Sequence, residues 1–191
     1  MKPKRLSLLL FLVMILGISG ITVYIFATDP APTNRFRPIS AHESAMDLLF
    51  LAHDGFGFDV YAESVGIYLA HYQQGQRVLH ERVTSIATTE AFQFSGSLFW
   101  GITIQDNQPS ELRATVSING AQGRGYFDLS QIDLPQGFFH GSFFGTNDPI
   151  ERGRQYPLRI WQSGNSFRFG ADLQEKIDEN DEIVILYVLF E

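Results

Sequence analysis

The chain has 191 residues, a net charge of −7 and 45% hydrophobic residues, among them 17 Phe, 7 Tyr and 2 Trp. That is too apolar and aromatic for a disordered protein, and the length suits one domain of about 150 residues plus an appendage. The absence of cysteine excludes disulfides, zinc–thiolate sites, a thiol nucleophile and a lipid-modified N-terminal cysteine.

Residues 1–5 carry Lys2, Lys4 and Arg5, and residues 6–27, LSLLLFLVMILGISGITVYIFA, carry no charge. As a helix the 22-residue run would span about 33 Å at 1.5 Å per residue, matching a bilayer core of about 30 Å. The basic residues ahead of it place the N-terminus in the cytoplasm and everything after residue 27 outside. This predicts an uncleaved signal-anchor helix in the cell membrane. The alternative is a cleaved signal peptide, with Gly17-Ile18-Ser19 offering small residues for the peptidase and a secreted product. Residues 28–44, TDPAPTNRFRPISAHES, contain Pro30, Pro32 and Pro38 and no hydrophobic period, and are expected to form an extended stalk.

From residue 45 to 191 the expectation is a single extracytoplasmic β domain. In AFQFSGSLFWGITI (91–104), Phe92, Phe94, Leu98, Trp100, Ile102 and Ile104 share one face. In LRATVSI (112–118), Leu112, Ala114, Val116 and Ile118 do the same, as half-buried antiparallel strands require. Further strands are expected at 65–72, 77–86, 126–132 and 156–161, with turns at QQGQ (73–76), DNQPSE (106–111) and Asn119-Gly120. HDGFGFD (53–59) reads as a turn or irregular strand, and AQGRGYF (121–127) as a turn. ADLQEKIDEND (171–181) fits a short helix, and IVILYVLF (183–190), apolar on both faces, a central strand covered on both sides. The fold class is all-β: an antiparallel β-sandwich, with an Ig-like arrangement or a small barrel as alternatives, preceded by the membrane helix.

The stretch GFFHGSFFG (137–145) sits between loop-like DLPQ and TNDP. Its glycines permit bulges that would turn both phenylalanine pairs inward. Left outward, Phe138, Phe139, Phe143 and Phe144 form a patch for a protein partner or an apolar ligand. Trp161, opposite in phase to Leu158 and Ile160 and alongside Arg159, joins them as a candidate surface ring, whereas Trp100 carries a core signature.

The five histidines, 42, 53, 71, 80 and 140, include no pair at the spacing that converges on a metal; His71 and His80 flank the QQGQ turn as possible cross-strand neighbours. No GxSxG elbow or phosphate loop is present. Glu175, Asp178, Glu179, Asp181 and Glu182 lack the glycine of a calcium loop and read as a solvated acidic turn. No catalytic, cofactor-binding or metal-ligating residue is assigned, and no cofactor is expected.

Charge is split along the chain. Residues 1–44 hold five basic against two acidic groups, +3, and residues 45–191 hold nine against nineteen, −10. Nucleic acid is thereby excluded as a partner. The layout of basic end, single span, proline stalk and cysteine-free β domain resembles that of many surface proteins of Gram-positive bacteria. It implies a membrane-tethered protein of the cell envelope with a non-catalytic binding or structural role, meeting an envelope protein or glycan. The alternatives are an envelope hydrolase using carboxylates or histidine, with His140, Asp128 and Asp133 as the positions to watch, and a carbohydrate-binding module presenting Trp161 or tyrosine rings.

Overall fold

The computed structural model describes residues 34–38, 52–106, 108–135, 137–140, 148–163 and 173–191, all within one compact unit, Pro32–Glu191. Side chains at 52, 53, 137–140 and 179 lie outside that description. The apolar run 6–27 lies outside it too, and among the described residues no helix is long and apolar enough to cross a membrane.

The described chain is all-β. Its strands are β1 (Arg35–Arg37), β2 (Ala52–Gln73), β3 (Gln76–Gln105), β4 (Gln108–Ile118), β5 (Ala121–Asp128), β6 (Gly137–His140), β7 (Gln155–Gln162) and β8 (Glu182–Phe190), with a short helix, α1 (Leu173–Glu179). They form one sheet in the order β5-β4-β3-β2-β8-β7-β6, with β1 added to β2, and every pairing is antiparallel. At the QQGQ turn, Gln74 and Gly75 both have positive φ (50° and 76°), and so do Asn119 and Gly120 (47° and 86°). That is the primed-turn geometry that matches strand twist and joins neighbours tightly.

β2 and β3 are far longer than the separate strands expected, because one bent hairpin runs through both halves of the sheet. Ala62 pairs with Phe92 and Ser64 with Ala87, so Glu63 alone faces the four residues Thr88–Ala91. This bulge changes which positions face inward. Phe58, Val60 and Ala62 are buried before it, and Val65, Ile67 and Leu69 after it. The half of β3 beyond the bulge pairs with β4, while the half of β2 beyond it pairs with β8. The two halves of the sheet therefore enclose a common core, running from Leu98, Trp100, Leu112 and Val116 to Leu69, Leu158, Val184 and Leu186. On β5, a side chain at Gly125 would place its Cβ 1.7 Å from the Val83 carbonyl oxygen, so glycine there lets the backbones of β5 and β3 touch.

β8 lies between β2 and β7 and is covered on both faces, as its two-sided apolar pattern implies. Val184, Leu186, Val188 and Phe190 enter the main core. Ile183, Ile185 and Tyr187 pack on the other side with Ala70, Ile160 and Ile177 of α1.

Several expectations change. AQGRGYF is strand β5 rather than a turn, and the chain leaves the sheet at Asp128 for a 3-10 turn over Leu129–Gln131 instead of continuing as a strand to 132. HDGFGFD is regular strand within β2. Within the expected stalk, Arg35–Arg37 is strand β1, paired with Gly57–Asp59. Phe36 is fully buried, edge-on to Phe56, Tyr156 and Phe190 at 6.5, 5.1 and 5.8 Å. The Asn34 side-chain oxygen accepts from the Tyr61 N–H at 3.0 Å, and its carbonyl accepts from the Ile150 N–H at 2.8 Å. Proline spacing hid this segment because three residues are too few to show alternation.

Replacing Phe36 by Ala should cost about 3–5 kcal/mol, a fall of roughly 6–20 °C in Tm for a domain of this size. A calorimetric scan of the variant beside the parent chain checks it; an unchanged midpoint would mean that β1 does not belong to the cooperative unit.

Candidate functional site

The inner faces of β2, β8 and β7 carry a run of polar and aromatic side chains that sequence spacing does not connect. Along β7, a register shift between Pro157 and Arg159 inserts an extra residue opposite β8. The bulge lets Leu158 and Trp161 both enter the main core while Ile160 packs on the opposite side. Trp161 is thus 2% exposed, which corrects its expected place at the surface: simple alternation fails at the bulge. Trp100, expected in the core, is there, also 2% exposed.

The two indoles meet at one cation. The guanidinium carbon of Arg159 lies 5.7 Å from the Trp100 ring centre and 5.1 Å from that of Trp161. Both distances fall within cation–π range. Arg159 is itself buried, and burial pushes its guanidinium below its usual pKa. Trp100 stands on β3 and Trp161 on β7, so this cluster ties together the two halves of the sheet that enclose the core.

Two residues along from Trp161, Ser163 begins a polar row across the rim of the same three strands. The Ser163 hydroxyl donates to the Glu182 carbonyl and accepts from the Glu182 N–H, both at 3.2 Å. The Glu182 carboxylate in turn lies 2.9 Å from Nε2 of His71, which is 5% exposed, and accepts from the Gln73 side-chain amide at 3.3 Å. Serine, glutamate and histidine thus adjoin, yet the hydroxyl is committed to backbone groups on both sides. The row closes the ladder where β8 begins and does not present a nucleophile.

His71 and His80, weighed as cross-strand neighbours, are one register step apart: His71 pairs with Leu79 and His80 with Ala70. Neighbouring positions on a strand point to opposite faces, so the two rings do not converge. Among the described residues no group of three or more His, Asp or Glu side chains is arranged to hold a metal ion. Asp128 caps the 3-10 turn through the Ser130 hydroxyl and N–H, at 2.6 and 3.0 Å, and these bonds hold its carboxyl below the usual range. Asp133 is exposed. β6 closes one edge of the sheet and sets Phe138 opposite Trp161, Phe139 opposite Ile160 and His140 opposite Arg159. Phe143 and Phe144 lie outside the described residues, as do the side chains of Phe138, Phe139 and His140.

Sequence reasoning missed both the seat of Arg159 between Trp100 and Trp161 and the row that joins Ser163, Glu182 and His71. The available signal was the arginine in the middle of YPLRIW, a charge inside an otherwise core-forming strand. No protein-family model, no curated protein and no solved structure matches the chain.

Removal of the Trp161 ring as Trp161→Ala should destabilise the fold by about 3–5 kcal/mol. Tyr126→Ala, at a ring 72% exposed, should change stability by no more than about 0.5 kcal/mol. Chemical denaturation of the two variants side by side measures the contrast.

Proposed function

We propose that this protein is a membrane-tethered, extracytoplasmic β-sandwich with a non-catalytic binding or structural role at the bacterial cell envelope. Its two layers are the halves of one bent sheet, and residues 6–27 serve as its signal anchor. The observation that carries the reading is the way β1 is built in. The chain that follows the apolar run pairs with β2 at Arg35–Arg37 and buries Phe36 completely, so the domain is fixed at the point where a tether would reach it.

The alternatives draw less from the same residues. For a carbohydrate-binding face both tryptophans are buried, and the exposed tyrosine rings among the described residues are Tyr126 and Tyr61. Of the acids weighed for a carboxylate hydrolase, Asp128 is occupied with capping its turn and Asp133 is exposed. For a contact surface the candidate remains 137–145, whose first four residues form the edge strand β6. An edge strand offers unpaired backbone groups to a partner.

Topology is testable because the chain has no cysteine of its own. A Tyr126→Cys variant should react with a membrane-impermeant maleimide in intact cells, while Lys2→Cys should react only after permeabilisation. Reaction of Tyr126→Cys solely after lysis would overturn the placement outside. For the contact surface, Phe138, Phe139, Phe143 and Phe144 should be changed singly to Ala. A ring that faces a partner leaves the melting midpoint in place and weakens cross-linking in cells; if all four lower the midpoint by roughly 6–20 °C, the segment is core.

A further inference from the structure

We propose that His80 is an acid-sensitive strap, fastening the outer strand of the β2–β3 hairpin to the central strand β8 across the small side chain of Ala70. The strap joins strands that are not neighbours. His80 pairs with Ala70 on β2, and Ala70 in turn pairs with Ile185 on β8. From there the imidazole reaches diagonally to place Nε2 2.7 Å from the Tyr187 hydroxyl. Tyr68, opposite Tyr187 in the register, lies beside both rings. It is stacked at 5.4 Å on His80 and 5.5 Å on Tyr187, while the imidazole and the phenol of Tyr187 are within 3° of parallel.

The chemistry follows from burial. Tyr187 is 1% exposed, and its hydroxyl has His80 Nε2 as a hydrogen-bond partner and no second one among the described residues. Burial pushes the phenol up to about 12, so it keeps its proton across the physiological range. A neutral imidazole with its proton on Nδ1 accepts that proton at Nε2, and the buried hydroxyl is satisfied. Protonation turns Nε2 into a donor. The phenol must then accept, and its own proton is left in an apolar place without an acceptor, the costly case for a buried polar group.

The surroundings push the same way. The imidazole itself is exposed on its outer side; the partial desolvation on the side facing Tyr187 lowers its pKa most, followed by Arg77, with Glu81 opposing. Arg82 on the same strand acts on Tyr68; Tyr72 on β2 and Glu191 after β8 act on Tyr187. Because the folded-state pKa lies below the unfolded one, the unfolded chain takes up the proton first. The strap's contribution is complete above the unfolded value of about 6.5 and is lost as pH falls from there through the folded value.

The hairpin end is where the loss is felt. Gln76–Arg82 pairs with β2 on one side, and β4 joins β3 only from Gly96 onward. Amide hydrogen exchange of the full-length chain, corrected for its intrinsic pH dependence, should show protection over 76–82 falling about two- to tenfold between pH 7.5 and 5.0, the equilibrium equivalent of one net hydrogen bond. His80→Gln should remove that pH dependence, and Tyr187→Phe, which keeps the ring stack, should raise the His80 titration midpoint read by NMR. Protection that ignores pH in the parent chain, or an identical loss in His80→Gln, would overturn the proposal. So would a His80 midpoint unmoved by Tyr187→Phe, which remains readable even where His80→Gln does not fold.

Discussion

A strand can change which of its alternate side chains face the core only by adding or losing a residue against its partner. The bulge that sets Glu63 against Thr88–Ala91 meets that constraint once, and the architecture depends on it. It lets one hairpin line both halves of the core, so β8 attaches to one end of β2 and β4 to the other end of β3. The corner is held from both sides. The Thr88 hydroxyl lies within hydrogen-bond reach of the Glu63 and Glu90 carbonyls, at 3.1 and 2.7 Å. Glu191 meets the other side, its N–H donating to Ser64 O at 3.0 Å while its carbonyl accepts from the N–H groups of Glu63 and Ser64. Bent backbone with satisfied donors and acceptors is cheap; bent backbone without them would open to water.

Polar groups inside this fold are matched in short cross-strand sets. His71 with Glu182 and His80 with Tyr187 each join two strands that are remote in sequence, while the Tyr156 hydroxyl, between Glu151 N–H and Pro149 O, ties the start of β7 to the segment just before it. Such bonds add little to stability when made and cost more when one partner is removed. Their effect is to exclude other registers of a largely apolar sheet. Each resides on a strand whose neighbours are Val, Ile or Leu, where slippage would otherwise meet little resistance.

Much of this was legible in the residues. The alternation in 112–118 and the two-sided apolar run at 183–190 correctly identify a half-buried and a fully buried strand, since burial on one or two faces leaves a direct mark on composition. Asn119-Gly120 and QQGQ mark turns because positive φ selects glycine and asparagine. What stayed hidden lies wherever the period is interrupted. The parity change at Glu63 makes β2 read as two pieces, 53–59 and 65–72. The bulge in β7 turns Trp161 inward against its apparent phase. β5 resembles a turn because Gly123 and Gly125 occupy its inner face, where close backbone approach, not a side chain, is required. The cluster of Trp100, Arg159 and Trp161 draws on strands 59 positions apart, and no local pattern encodes a meeting at that distance.

The β7 bulge has a consequence for how such a sequence can drift. Pro157 opposes Tyr187 and Arg159 opposes Leu186, so Leu158 is the residue without a partner on β8. Its deletion would remove the bulge and leave every later pair, and so the faces of Ile160 and Trp161, as they are, at the cost of one core side chain. A residue added or lost between Arg159 and Gln162 would instead turn the side chains beyond it to the opposite face. Lineages descended from this chain can therefore change the length of YPLRIW at the bulge itself far more freely than beyond it.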